Sequence, residues 1–349
     1  MNILYITRAY GQHGGGMERL SFELARELKQ QANVDITVLA HVGARATSPF
    51  FVFTITPRAL AAARKSDAIL LGDPMLSLVG WLITLFIHKP VAVIVHGLDI
   101  TFNNWLYKLY LRLFFRNLDA YFPISQSVNT NLEHVPVRGR RAVITPGISD
   151  RFYDPSITRG DLLELLLTTY NLQLTNQKIL LTVGRLVHRK GHAWFIKNVL
   201  PHLPENYVYL IAGDGPERER LKGKERVILL GKVSDQQLKI LYNTVDAFIQ
   251  PNIPVSGDVE GFGLVMLEAA LCNRPVFASH IDGIPDAIHD GHSGRLLPPS
   301  NAQAWIQALT HELPAPQLRK EARAYTHTHH SWPGAAGKLL NQLKIIARQ

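Results

Sequence analysis

The sequence contains a single cysteine, Cys272, among its 349 residues. One thiol excludes an internal disulfide framework and fits a reducing compartment. Long apolar runs are also missing: the longest, Leu76 to Ile87, stops at His88 and is too short to cross a bilayer. No basic segment precedes the apolar residues that follow Met1. We therefore expect no signal peptide and a cytoplasmic location.

Acidic residues are in deficit, with 28 Asp and Glu against 37 Lys and Arg, a formal net charge of +9 and a pI near 9.6. This balance predicts an anionic partner, for which nucleic acid, anionic lipid and nucleotide-linked substrates are all chemically suitable. No recognisable nucleic-acid-reading module is present, so we expect no nucleic acid. The length is sufficient for two domains, each with its own core.

Short apolar strands alternate with helical stretches along both halves, a pattern typical of an α/β fold with doubly wound parallel sheets. Ligands of such sheets lie at the carboxyl ends of the strands. The predicted strands of the first half are Asn2–Thr7, Asp35–Ala40, Phe51–Thr56, Ala68–Leu71, Val91–His96, Ala120–Ile124 and Ala142–Thr145. The loop after the first strand, GQHGGGMER, is not G-x-G-x-x-G, which disfavours a nicotinamide-dependent Rossmann enzyme.

The stretch GDVEGFGLVMLEAA, from Gly257 to Ala270, joins a glycine-rich loop to a strongly helix-forming segment. The first helical turn leaves unpaired N–H groups that suit a phosphate, which would bind at Phe262, Gly263 and Leu264. Two carboxylates, Glu260 and Glu268, bracket this turn. On spacing alone, a capped helix with one solvated glutamate is equally consistent with the pattern.

The stretch GRLVHRKG follows the predicted strand Lys178–Val183 and carries Arg185 and Lys190 between glycines. Arginine can bind phosphate oxygens as a fork and lysine can add a point charge. Such a pair is often only a solvated surface feature. Its position at the ligand edge of a sheet favours a phosphate site.

Glu260 and Glu268, with seven residues between them, match the E-x7-E motif, and the sequence resembles the family 4 glycosyltransferases over nearly its whole length. G-R-L-x-x-x-K-G is a second matching motif. The resemblance implies a GT-B fold, in which two Rossmann-like domains face each other across a cleft. It implies an acceptor-binding domain over 1–155, a nucleotide-sugar-binding domain over 156–325, and a terminal helix over 326–349 that crosses back to the first domain.

The resemblance also implies roles for individual residues. Arg185 and Lys190 would bind the donor diphosphate, Glu260 would orient the sugar, and Glu268 would hold the ribose. His96, after the strand in VIVHGLD, would lie beside the reacting sugar, although a lone histidine there is more often a packed residue. Gly15 and Gly16 would approach the donor phosphate. Asp99 is a weaker candidate than His96, with a helix cap as its alternative role.

Metal ions and cofactors are not expected, apart from the nucleotide sugar itself as a co-substrate. No D-x-D sequence marks a divalent-metal site, which suits a family that stabilises the diphosphate with Arg, Lys and a helix end. His327, His329 and His330 are clustered, but no carboxylate or cysteine is spaced with them as a metal site requires.

A basic stripe of Lys108, Arg112 and Arg116 is predicted on a helix over Asn103–Leu118 that is otherwise rich in aromatic residues and leucine. It fits a surface that contacts anionic lipid headgroups. A half-buried helix with a solvated basic edge is the alternative.

These features together predict a retaining, metal-independent hexosyltransferase. It would use a UDP- or GDP-sugar donor and a glycan or lipid-linked acceptor in cell-envelope polysaccharide or glycolipid biosynthesis, at the inner face of the membrane. A catalytically inactive GT-B scaffold of an envelope-building complex is the rival interpretation. The presence of Arg185, Lys190, Glu260 and Glu268 argues against it.

Overall fold

A computed structural model describes residues 1–11, 15–41, 50–313 and 317–348, and for 317–320 it describes the backbone alone. The chain divides into two compact units, and each combines separate stretches of sequence. The first unit consists of 1–147, 257–262 and 330–349, and the second of 148–256 and 263–329. Each unit is built on its own parallel sheet, as the alternation of strands and helices predicts.

The sheet of the first unit has six parallel strands within the described residues, in the spatial order second, first, third, fourth, fifth, sixth. Its four central strands are apolar and buried almost throughout, because helices cover a parallel sheet on both faces, whereas the two edge strands are half-buried or exposed. The strands are Asn2–Thr7, Asp35–Ala40, Ala68–Leu71, Val91–Val95, Ala120–Pro123 and Arg140–Arg141.

The helices of the first unit include the final one of the chain, Trp332–Ile346, which packs against the first, Gly16–Gln30. Its leucines and alanines, among them Leu339 and Ala336, are buried. The other α-helices of this unit are Phe51–Ala63, Ser77–Phe86, Leu98–Thr101, Trp105–Phe114 and Gln126–Glu133, with 3₁₀ turns at Pro74–Leu76 and Phe115–Asn117.

The sheet of the second unit also has six parallel strands in the part of the chain that the structure describes. From one edge of the sheet to the other, the strands are Arg295–Leu297, Val276–Ser279, Ala247–Gln250, Lys178–Val183, Tyr207–Ala212 and Val227–Gly231. Phe195, Tyr209, Phe277 and Trp305 are fully buried in its core.

The second unit contains a helix whose start is specified by a capping box: Thr158 and Asp161 cap Arg159–Tyr170. Ser234 and Gln237 do the same for Asp235–Thr244. The other helices are His192–Asn198, Arg218–Leu221, Leu264–Leu271, Ile284–Ala287, Ala302–Gln307 and Gln317–His329, with 3₁₀ turns at His188–Lys190 and Leu200–His202 and a π-helical turn at Ala308–Glu312.

The strand predicted at Phe51–Thr56 is wrong, because this segment forms the first half of the helix Phe51–Ala63. Its β-branched and aromatic residues favour a strand locally. Burial follows a helical period instead, with Phe51, Ile55 and Ala59 four residues apart and all facing the core. Packing of that face outweighs the local propensity.

The strand predicted at Ala142–Thr145 is also displaced, since the paired segment is Arg140–Arg141. Ala142 N–H still donates to Tyr121 O at 3.1 Å and Ile144 N–H to Pro123 O at 2.9 Å. In a parallel ladder residue 123 would donate the return bond, but Pro123 has no N–H. The ladder therefore stops there.

The helix predicted over Asn103–Leu118 is shorter, spanning Trp105–Phe114, and Arg116 falls in the following 3₁₀ turn. Tyr121 Oη donates to Phe115 O, at 2.5 Å, and accepts from Leu118 N–H at 3.1 Å, which satisfies backbone groups where the helix ends. Because a 3₁₀ turn winds more tightly, Arg116 does not continue the spacing of Lys108 and Arg112.

No helix within the described ranges combines the length and the apolar character needed to cross a bilayer.

Gly213 is a tightly constrained glycine of the second unit. It has φ of 145°, and a Cβ added there would lie 1.8 Å from Gly184 O. Gly213→Ala should lower the free energy of unfolding by about 3 kcal/mol, because the neighbouring strand end must move. Gly223→Ala is the matched control: φ is 69°, but nothing lies within 4 Å of the added carbon. Its strain alone should cost about 1 kcal/mol. Urea titrations followed by circular dichroism measure both, and equal losses would contradict the close approach.

Candidate functional site

In the first unit, His96 directly follows the strand Val91–Val95, at the carboxyl edge of the sheet. Its Nε2 lies 2.8 Å from Gly72 O. A carbonyl only accepts, so Nε2 carries the proton and Nδ1 presents its lone pair in the neutral ring. The His96 side chain is thereby held in one orientation at the end of the sheet where ligands bind.

Asp99 organises the loop after this strand, since its carboxylate accepts from His96 N–H at 2.9 Å and from Gly97 N–H at 2.8 Å. Burial raises the pKa of the Asp99 carboxyl, while the hydrogen bonds from the backbone N–H groups of His96 and Gly97 act in the opposite direction. Tyr107 Oη donates to Asp99 O at 2.8 Å, which ties the helix Trp105–Phe114 to the same loop. These bonds fix the backbone beside His96.

Glu260 is brought to this loop although it lies more than 160 residues further along the chain. The segment 257–262 belongs to the first unit, and Thr101 Oγ1 donates to Gly257 O at 3.0 Å. A Cβ on Gly261 would lie 2.2 Å from His96 O, so only glycine permits this approach. Glu260, the residue before it, is buried. The structure therefore brings together the backbone segments that carry two predicted site residues, His96 and Glu260.

The glycine-rich loop after the first strand is described only in part, since residues 12–14 lie outside the described ranges. Gly15 is the N-cap of the helix Gly16–Gln30, with φ of −70°, and both Gly15 and Gly16 are exposed. Neither needs the left-handed conformation that glycine permits. Their exposure at a helix N-terminus is compatible with the predicted approach to a phosphate.

In the second unit, Gly184, Gly213 and Gly231 close three adjacent strands, each with a positive φ. Arg185 is exposed on this edge. Lys190 is buried, and a Cβ on Gly184 would lie 3.9 Å from its Nζ. The Lys190 ammonium thus lies against the Gly184 turn, at the carboxyl edge of the sheet.

The helix Leu264–Leu271 begins after Gly263, whose φ of 91° and ψ of 57° place it in the left-handed region. A Cβ on Gly263 would meet only the end of the Met266 side chain, which is flexible and can move, so the turn favours glycine for its φ and not for space. Leu264 is half-buried in the first turn. Phe262 belongs to the first unit, where its ring lies 5.7 Å from that of His330.

Glu268 is buried within the second unit, and its Oε2 accepts from Tyr242 Oη at 2.9 Å. The hydroxyl fixes one carboxylate oxygen. The boundary between the units falls after Phe262, so the two glutamates of E-x7-E belong to different units.

Comparison with known proteins finds a family match that lies largely within the second unit. Residues 177–313 match the family model for glycosyl transferases group 1. Over 245 residues the chain is 28% identical to the D-inositol 3-phosphate glycosyltransferase of Corynebacterium urealyticum, a match that covers 63% of this chain and 56% of that protein. The chain spans about half the length of the curated relatives it matches.

Solved structures give the fold of the whole chain. HepE of Anabaena in complex with UDP-glucose has a TM-score of 0.73 at 19% identity, over 99% of both chains. Sucrose-phosphate synthase of Thermosynechococcus elongatus has a TM-score of 0.78 at 19% identity, over 99% of this chain and 100% of the other. The whole chain has the GT-B fold.

An ion pair that the sequence motifs did not reveal lies in the first unit of this GT-B protein. Arg8 donates to Asp73 Oδ1 from Nε at 3.0 Å and from Nη2 at 2.9 Å. Asp73 also accepts from Met75 N–H at 2.9 Å, as a helix cap. Two features of the sequence could have indicated this ion pair: Arg8 directly follows the first strand, and Asp73 directly precedes Pro74. The pair links the ends of two neighbouring strands beside Gly72.

Metal binding has no candidate cluster among the described residues: no three His, Cys, Asp or Glu side chains there are arranged to hold an ion.

His192, also missed by sequence reasoning, lies in the second unit behind Lys190. Thr182 Oγ1 donates to Ile249 O at 2.5 Å, and Tyr209 Oη lies 2.8 Å from both Thr182 Oγ1 and His192 Nδ1. Each hydroxyl has one proton, so Tyr209 donates to Thr182 and His192 Nδ1–H donates to Tyr209. Burial, together with the charge of Lys190, lowers the pKa of His192 to about 3. The ring is therefore neutral, and Lys190 faces no second cation from this side.

His192 should make the stability of this GT-B protein depend on pH. Below its ordinary pKa of 6.5 the unfolded chain binds a proton that the folded ring does not. Stability is therefore complete above that pH and falls as the pH decreases, by at most about 1.4 kcal/mol per pH unit from this residue. His192→Phe should remove this contribution. Urea unfolding of both proteins between about pH 7 and pH 5 measures the difference, and parallel profiles would contradict the assignment.

Proposed function

We propose that this GT-B chain transfers a hexose from a UDP- or GDP-linked donor to a glycan or lipid-linked acceptor, with retention at the anomeric carbon and without a metal ion. We further propose that it belongs to family 4 and serves cell-envelope polysaccharide or glycolipid biosynthesis. The observation that carries the proposal is the buried Lys190 against the Gly184 turn, with Arg185 exposed on the same sheet edge.

The chemical need is to separate a sugar from a diphosphate. Positive charge grows on the anomeric carbon and negative charge on the phosphate oxygens. Fixed cations placed where that negative charge develops lower the barrier without reorganising. Lys190 supplies a point charge and Arg185 a fork of donors. The first-turn amides of the helix from Leu264, with those of Phe262 and Gly263, add a helix dipole that favours an anion.

Retention follows if the acceptor attacks from the face that the diphosphate leaves. The acceptor oxygen forms a bond to the anomeric carbon while the bond to the phosphate oxygen breaks. The acceptor hydroxyl proton passes to the departing phosphate oxygen. No protein nucleophile is required. Positioning by the enzyme replaces it, and exclusion of water protects the electron-deficient sugar.

The carboxylates divide the donor between them in this proposal. Glu260 orients the sugar hydroxyls, and His96 Nδ1 accepts a hydrogen bond from the same sugar. Glu268 holds the ribose, with its Oε2 fixed by Tyr242. Gly15 and Gly16 approach the donor phosphate in this proposal.

The base of the donor is best sought first among uridine nucleotides. HepE of Anabaena, which has the same fold, has been solved with UDP and with UDP-glucose. At 19% identity this likeness guides the choice of ligands to test and does not identify the donor.

The acceptor is proposed to be reached at an anionic membrane surface. Lys108 and Arg112 are exposed, and Lys108 Nζ donates to Asn103 Oδ1 at 2.8 Å. Arg116 is half-buried beyond the helix end. Each basic residue near an anionic surface contributes about 1 kcal/mol, which supports peripheral association.

Loss of either diphosphate-binding cation should slow transfer. Arg185→Ala or Lys190→Ala should lower kcat by about 10²–10³, the effect of removing one fixed charge-stabilising donor. Donor identity comes from a thermal-shift panel of UDP-, GDP- and ADP-sugars, because a ligand that binds only the folded state raises Tm. Turnover is then measured as release of the nucleoside diphosphate from the donor so found.

Lys197→Ala is the matched control, since Lys197 is exposed in the last turn of the helix His192–Asn198. It should turn over at the wild-type rate. Near-normal rates in the Arg185 or Lys190 variants would show that the phosphates bind elsewhere. If no sugar nucleotide raises Tm or is hydrolysed, the proposed activity is wrong.

The two glutamates should differ in what they bind. Glu260→Gln should lower kcat and weaken the preference among epimeric sugars, with the affinity for free nucleoside diphosphate unchanged. Glu268→Gln should weaken that free nucleotide, because it removes charge from the ribose contact. Isothermal titration with the free nucleoside diphosphate separates the two. Identical losses of affinity in both variants would rule out this division.

A further inference from the structure

The helix Trp105–Phe114 has two apolar faces, and only one of them is covered. On the inner face, Leu111 is buried, and Tyr110 Oη donates to Met75 O at 2.6 Å while accepting from Leu78 N–H at 2.9 Å. Tyr107 is bonded to Asp99 O on the same side. These contacts fix the rotation of the helix about its axis. Its other face therefore cannot turn inward.

The outer face carries large apolar side chains that are exposed: Trp105 at 72%, Leu106 at 57%, Leu109 at 46% and Leu113 at 52%. At about 100° per residue these four lie within an arc of about 100°. Lys108 and Arg112 lie along one edge of the arc. An exposed apolar stripe bordered by basic residues is the arrangement of a helix that lies in a membrane interface.

The apolar surface continues beyond this helix. The helix Ser77–Phe86 packs against it, with the rings of Trp81 and Phe114 5.4 Å apart, and also packs against the helix Phe51–Ala63. Exposed side chains on these two neighbouring helices, and Phe50 directly before Phe51–Ala63, extend the apolar surface: Phe50, Phe53, Leu85 and Phe86. Phe102, shortly before the helix Trp105–Phe114, is exposed as well.

The exposed side chains of Phe51–Ala63, Ser77–Phe86 and Trp105–Phe114, with those at the helix ends, form what we call the three-helix surface. Its charge decides what can cover it. Residues 50–66, 74–90 and 102–118, which contain the three helices and their ends, have no Asp or Glu, although the chain has 28. Their basic residues are Arg58, Arg64, Lys65, Lys89, Lys108, Arg112 and Arg116. A second copy of the chain would bring the same positive charge to the contact. An anionic bilayer offers apolar chains for the leucines and aromatic rings, and phosphate for the basic edge.

We propose that the three-helix surface inserts its apolar side chains into the headgroup region of an anionic bilayer, with Trp105 and Leu109 as the principal inserted residues. The inference rests on the proposed membrane contact and adds to it, because electrostatic attraction alone would leave these side chains in water. The basic residues then select anionic lipid, while the apolar arc holds the protein at the surface.

Vesicle co-sedimentation tests the proposal, with phosphatidylcholine alone and with equal parts of phosphatidylcholine and phosphatidylglycerol. Wild type should bind the anionic vesicles more tightly and keep part of that binding at about 1 M salt, where charges reach only about 3 Å. Trp105→Ser/Leu109→Ser should bind about tenfold or more weakly at both low and high salt. Lys108→Ser/Arg112→Ser/Arg116→Ser should lose the preference for anionic vesicles.

Leu167→Ser is the matched control: Leu167 is 50% exposed on the helix Arg159–Tyr170 of the second unit, and its replacement should leave vesicle binding unchanged. Brominated lipids should quench part of the tryptophan emission of wild type, and this part should be missing in Trp105→Phe. Quenching that is the same in both proteins would overturn the proposal. So would unchanged binding by the Trp105→Ser/Leu109→Ser variant.

A dimer seen by analytical ultracentrifugation, together with no vesicle binding, would assign the surface to a second copy and overturn the proposal. Donor hydrolysis is measured on the same variants. Its retention without vesicle binding would count against the membrane surface alone, and its absence in proteins that still bind vesicles would count against the proposed function alone.

Discussion

The approach of the Gly261 backbone to the carbonyl of His96 is the constraint on which the candidate site of the first unit depends. It brings a segment from late in the chain against a loop that ends an early strand. Any side chain at 261 would collide with a backbone oxygen, and backbone atoms move much less readily than side chains. The backbone of Glu260 can therefore lie next to His96 because Gly261 has no side chain. The hydrogen bonds of Asp99 keep the opposing loop in place.

The second unit relies on a different constraint, the burial of ionisable groups beside fixed partners. Lys190 is buried against Gly184, His192 behind it is neutral, and Glu268 is bonded to Tyr242. An electrostatic site works best when its charges are already desolvated and do not have to reorganise. The neutrality of His192 matters here because a second cation would oppose the placement of the first. The same burial makes the unit sensitive to acid.

Sequence reasoning reached the two parallel sheets and most strand positions, because buried parallel strands leave continuous apolar runs such as KILLTV. It failed at Phe51–Thr56, where the local preference of β-branched residues was overridden by packing on one helical face. It failed again at Ala142–Thr145, where Pro123 on the partner strand ends the pairing. Arg185, Lys190, Glu260 and Glu268 could be named from motifs. Arg8 with Asp73, and the chain from Thr182 to His192, could not, because each depends on residues brought together only by the fold.

The assembly of the first unit from three separate stretches has a consequence for how the protein is made. Its last helix, Trp332–Ile346, supplies buried side chains that pack against Gly16–Gln30, and Gly147 lies against Trp332. On the ribosome, the first sheet can form early, but its hydrophobic layer stays incomplete until the helix Trp332–Ile346 emerges. Most of the second unit, by contrast, is synthesised before that moment. Of the two units, the first is thus the later to be completed, and its unfinished apolar surface is the one that chaperones would meet.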